Sequence, residues 1–116
     1  MKHNNDFSHD LEIGKKAENY LAKILLLTGD KIEVKADFQA KKTGNIFIEY
    51  ESRNKLSGIT TSKADFWAIL ISNEQIIIIE TKKLKTLCKA KGIKRVRGGD
   101  ENTSKGVLLP LTKLIN

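Results

Sequence analysis

A chain of 116 residues with 30% charged and 40% apolar side chains has the make-up of one globular domain with a modest core. Its formal net charge of +7 favours a polyanionic partner such as nucleic acid. The longest apolar runs, residues 24–27 and 76–79, are far too short to cross a membrane. The start of the chain lacks the apolar stretch of a signal peptide, and the single Cys88 excludes an internal disulfide and a cysteine-based zinc site. These features give an expectation of a cytoplasmic protein without a membrane partner, in which Cys88 is a small apolar residue on a helix.

Residues 1–8 are polar, and His3 and His9 at the start of the chain lack ligand partners. Residues 10–28 read as a helix, with Leu11, Gly14, Ala17, Leu21, Ala22 and Leu25 on one stripe and Gly29 as its stop. Glu18 falls near the centre of that stripe, where a carboxylate needs a partner or a metal ion.

Two strands follow, over 31–38 and 45–52. In the first, Glu33, Lys35 and Asp37 alternate with Ile32, Val34, Ala36 and Phe38; in the second, Glu49 and Glu51 alternate with apolar residues in the same way. The intervening QAKKTG has the length of a hairpin loop. Antiparallel pairing about it sets Glu33 opposite Glu49 and Lys35 opposite Phe47. Opposed like charges destabilise a sheet, so such a face calls for a bound cation. Oxygen-only ligands select magnesium or manganese over zinc.

The Gly-, Ser- and Thr-rich RNKLSGITTSK reads as a connecting loop. It leads to a second strand pair, 65–71 and 75–80, turning at Ser72-Asn73-Glu74. Because 76–79 is apolar on both faces, it is expected to be an interior strand covered by helices. Phe66 and Trp67 are expected in the core. Residues 82–91 read as a short helix with Leu84, Leu87 and Cys88 inward, ending at Gly92. The tail holds a basic strand or loop, a turn at Gly98-Gly99-Asp100, and a final apolar segment that Pro110 makes an edge or irregular strand.

Helix, strands, helix and strand with acids near the sheet is the layout of the PD-(D/E)xK nuclease superfamily. The segment IEVKADFQAKKTGNIFIEYESRNKLSGITTSKADFW resembles small phage-encoded members of it, and the likeness extends loosely into RGGDENTSKGVLLPL. The resemblance implies an α/β fold with a restriction-endonuclease-like core: an N-terminal helix, a mixed and mostly antiparallel central sheet, a second helix and a C-terminal strand. It also implies magnesium-dependent phosphodiester hydrolysis. In that chemistry carboxylates hold the metal ion, and a lysine positions water and stabilises developing charge.

Two placements of the motif are open. The first takes Glu33 or Asp37 as the leading acid and Glu49 and Glu51 as the following pair, with Lys35 replacing the lysine that Glu51 displaces. The metal ligands are then drawn from Glu33, Asp37, Glu49 and Glu51. The second takes Asp65 and Glu80-Thr81-Lys82, similar to archaeal Holliday junction resolvases. Glu18 fits either, since members with a leading helix often supply one acid from it. Lys41, Lys42, Arg53, Lys55, Lys63, Arg95, Arg97 and Lys105 are candidate phosphate contacts, which position DNA without reading it.

The expected function is a magnesium-dependent DNA endonuclease, acting on simple duplexes or on branched DNA as a junction resolvase. Symmetric cutting of a junction needs two active sites and hence a homodimer. The alternatives are a catalytically inactive nucleic-acid-binding protein on the same fold, which Glu51 supports, and an interaction module whose acidic face binds a protein.

Overall fold

Alternating sequence produces extended segments here, but they assemble into two sheets where a single central sheet was expected. The computed structural model describes Asn19, residues 31–72 and residues 74–114. Apart from Asn19, the helix expected over 10–28 lies outside the described residues, and Glu18 with it. In chain order the elements begin with β1 (Ile32–Ala36), the one-turn helix α1 (Ala40–Thr43), β2 (Asn45–Ser52), β3 (Lys55–Leu56) and a 3-10 turn (Gly58–Thr60). Then come β4 (Phe66–Leu70), β5 (Ile76–Glu80), α2 (Thr81–Cys88), β6 (Lys94–Gly98), a second 3-10 turn (Asp100–Asn102), β7 (Ser104–Pro110) and α3 (Leu111–Leu114).

The result is a mixed α/β fold, mostly antiparallel within its sheets. One sheet runs β1-β4-β5, with β1 parallel to β4 and β4 antiparallel to β5. The other runs β3-β2-β7-β6, antiparallel throughout. The core lies between them, built from Ile46 and Ile48 of β2, Trp67 and Ile69 of β4, and Val107 and Leu109 of β7. Helix α2 adds Leu84 and Cys88, whose spacing puts them on one side of the helix. Trp67 is in the core as expected, 2% exposed, and its indole N–H donates to Ser62 Oγ at 3.0 Å.

Three expected placements are corrected. First, β1 and β2 do not form a hairpin. Residues 40–43 wind into a helical turn that closes on Gly44 in the left-handed region (φ 80°), and this turn carries the chain from one sheet to the other. Glu33 therefore pairs with Trp67 and Lys35 with Ile69, while Glu49 pairs with Gly106 and Phe47 with Leu108. Second, β5 is an edge strand and β4 the interior one; Ile78 is 43% exposed. Third, the final apolar segment is not an edge. It becomes β7, between β2 and β6, and Pro110 is tolerated because it occupies the last position of the strand.

Candidate active site

In a parallel pair, residues in register share a face, so Glu33 and Lys35 project on the same side as the core residues Trp67 and Ile69. Since β1 is the sheet's edge, that side opens into the gap between the two sheets. A cleft of about 290 Å³ occupies this gap, and Lys35, Asp37 and Glu49 all line it. The two sheets thus contribute jointly: Lys35 comes from β1, Asp37 follows its last residue, and Glu49 comes from β2.

Both carboxylates are half-buried and tethered. Asp37 Oδ2 accepts the backbone N–H of Phe47 at 3.1 Å. It thereby covers part of the β2 edge that β3, paired only at Glu51 and Ser52, leaves open. Glu49 Oε2 accepts the Ser57 hydroxyl at 2.8 Å. The loop bearing Ser57 is clasped to β2, because the Ser57 N–H and the Thr60 hydroxyl both donate to the Tyr50 carbonyl, at 3.0 Å and 2.9 Å. Gly58 crosses so close to the Glu49 carbonyl that a Cβ there would overlap its oxygen, and Gly58 sits at φ +55°. The segment was legible as a Gly- and Ser-rich connection; its task of holding Glu49 was not.

The remaining acids of the first placement are not gathered. Glu33 is half-buried, two residues before Lys35 on the same strand face, and lies outside the cleft's lining. Glu51 is turned away from Glu49 by a β-bulge. Along β2 two steps separate Glu49 from Glu51, whereas their partners Gly106 and Lys105 are adjacent in β7. Adjacent residues of a strand face opposite sides, so Glu49 and Glu51 do as well. Glu51 Oε2 instead meets Lys105 Nζ at 3.3 Å. The expectation of four acids on one face is corrected twice over: β1 and β2 lie in different sheets, and the extra residue turns Glu51 from Glu49. Among the described residues no group of three or more His, Cys, Asp or Glu could hold a metal ion. Two carboxylates nevertheless fit magnesium, which binds through one or two of them while water and substrate phosphate complete its shell.

The second placement is also brought together, in a separate cleft of about 450 Å³ lined by Asp65, Glu80 and Lys82, with Lys63 and Lys85. Here both acids are exposed. Asp65 Oδ2 accepts the Lys31 N–H at 2.9 Å, and its carbonyl accepts the Thr81 N–H at 3.0 Å, so the residue joins the ends of β4 and β5. Of the candidate phosphate contacts, Lys41 Nζ donates to Gln75 Oε1 at 2.6 Å, and Lys105 is paired to Glu51. Lys42, Arg53, Lys55 and Arg97 are exposed, and Arg95 borders a cavity beside α2.

No family model, curated protein sequence or solved structure matches this chain. Among the described residues no helix is long and apolar enough to cross a membrane.

Proposed function

We propose that this chain is a magnesium-dependent DNA endonuclease whose active site is the cleft between the two sheets. The observation that carries the proposal is the convergence of Lys35, Asp37 and Glu49 on one cleft from separate sheets. A charge cluster that merely solvated a strand face would not draw its members from two sheets, nor tether each carboxylate to a neighbouring segment. The half-burial of both acids favours this site over the exposed Asp65 and Glu80.

Magnesium or manganese, when bound, would polarise the scissile phosphate and lower the pKa of the attacking water. Asp37 and Glu49 would hold the ion, each with one oxygen fixed by its hydrogen bond and the other left for coordination. Lys35 is the cation available to charge building on the phosphate in the transition state, the part that Glu51 is turned away from. The restriction-endonuclease-like core and the link to small phage nucleases belong to this reading. So does branched DNA as the substrate, with a homodimer supplying two clefts to a junction.

The test is cleavage of a panel of single strand, duplex, flap and four-way junction, with magnesium, with EDTA, and with Glu49→Ala. Metal-dependent cutting that falls about 100-fold or more in the variant is expected. Binding without cutting in either metal would overturn the enzyme reading in favour of an inactive nucleic-acid-binding protein. Cutting that survives Glu49→Ala but not Glu80→Ala would move the site to the second cleft.

A further inference from the structure

Between α2 and the core-facing side of the second sheet lies a cavity of about 270 Å³, separate from the carboxylate cleft. Its floor is apolar and partly aromatic: Ile48 and Tyr50 of β2, Ile59 of the 3-10 turn, and Val107 of β7. Its rim carries Lys85 from α2, Lys89 just past the end of that helix and Arg95 from β6, and among the described residues no carboxylate lines it. Cys88 also lines it; burial pushes that thiol up to about 11, so it is uncharged at neutral pH and adds no negative charge to the wall.

Cations around an apolar hollow suit a ligand with a ring at one end and an anion at the other. The volume falls just below the roughly 300–1,000 Å³ of pockets for drug-sized molecules, which suits a single ring system. Nor does the positive charge stop at the rim. Residues 81–99 hold eight Lys and Arg and no Asp or Glu, and Lys82, Lys83 and Lys94 are exposed along the same two elements. A small lone anion has no use for that extension, whereas a polyanionic strand does.

We propose that this cavity takes one unpaired nucleobase of a single-stranded nucleic acid, stacked on Tyr50, with the adjoining phosphates on Lys85, Lys89 and Arg95. The proposal rests on the nucleic-acid partner of the preceding reading and not on cleavage. Binding is tolerant of sequence: among the described residues no carboxylate or amide side chain lines the cavity to match a base edge, and the Thr60 hydroxyl already donates to the Tyr50 carbonyl. The cavity adjoins the carboxylate cleft, since Ile48 lines both. Gly58 lines the cleft while Ile59 and Thr60 line the cavity, so one loop borders both. A duplex keeps its bases paired and stacked and cannot fill the hollow, so the preferred substrate has an unpaired segment beside the cut.

The experiment is fluorescence anisotropy on the full chain in EDTA, which removes any need for cleavage. Three probes of one length are used: an oligothymidylate, the same strand with abasic sites, and a duplex. The wild-type protein is expected to hold the oligothymidylate about tenfold or more tighter than the abasic strand, as stacking of one base predicts. Tyr50→Ala should erase that margin and Tyr50→Phe should keep it. Lys85→Gln with Lys89→Gln should weaken both strands together. Equal affinity of the wild type for thymidylate and abasic strands overturns the proposal, and needs no variant to fold. So does a Tyr50→Ala protein that still unfolds cooperatively yet keeps its margin for the oligothymidylate over the abasic strand. No binding to any probe would instead remove the nucleic-acid reading itself, and binding without cutting would remove only the nuclease.

Discussion

At Gly58 the chain crosses β2 at a distance that only a residue without a Cβ can reach, in a backbone region that favours glycine. This is where the Glu49 carboxylate is fixed, because Ser57, the preceding residue, donates to it. Gly58→Ala is therefore expected to cost about 2 kcal/mol or more from backbone strain and overlap with the Glu49 carbonyl. Urea denaturation measures that cost. Cleavage should fall beyond what the loss of folded protein explains, because the loop can no longer reach the carboxylate. An alanine variant as stable and active as the parent would show that the crossing does not position Glu49. The sequence signals a turn here through Ser57-Gly58, yet nothing local to it names the strand it crosses, because that contact is tertiary.

Among the described residues the strands and α2 were largely legible, whereas the short helices α1 and α3 and most strand partners were not. The pair β4 and β5 follows from alternation and a short turn, and α2 from the spacing of Leu84 and Cys88. The pairing of β1 with β2 failed because the connecting segment also has the composition of a helical turn, and local pattern cannot decide between a hairpin loop and a change of sheet. For β7 the misleading feature was Pro110, which forbids an interior strand only where its missing N–H would break the ladder. The bulge between Glu49 and Glu51 was likewise invisible, since Glu-Tyr-Glu reads as regular alternation. The interior place of β7 has an energetic consequence: Leu109 is fully buried and pairs opposite Ile46 at the centre of the core. Leu109→Ala should cost about 2–5 kcal/mol through lost burial and a residual cavity. A shift of the denaturation midpoint at constant slope is the expected result, and a change below about 0.5 kcal/mol would contradict a core position.

Across the whole molecule the charge is unevenly placed. The acids that converge do so in the gap between sheets, whereas α2 and β6 carry only basic charges. On the proposed function, attraction to a polyanion and retention of a cation would fall to separate surfaces, which one net charge of +7 read from composition could not reveal. If Lys85, Lys89 and Arg95 each neutralise a phosphate of a single strand, affinity should fall about 20-fold between 50 and 200 mM salt, at roughly 0.7 decades per decade for each contact. Anisotropy titrations across that range measure the slope, and a slope near zero would exclude a phosphate interface. The hydrogen bond from Phe47 to Asp37 has a different implication at this scale. An uncovered strand edge is a template for recruiting another chain, and here a carboxylate occupies it. Replacing Asp37 with alanine to silence the chemistry would also unmask that edge, so the inactive variant should be the one that polymerises. Replacement with asparagine, whose carbonyl can still accept the Phe47 amide, would separate the loss of charge from the loss of this guard against self-assembly.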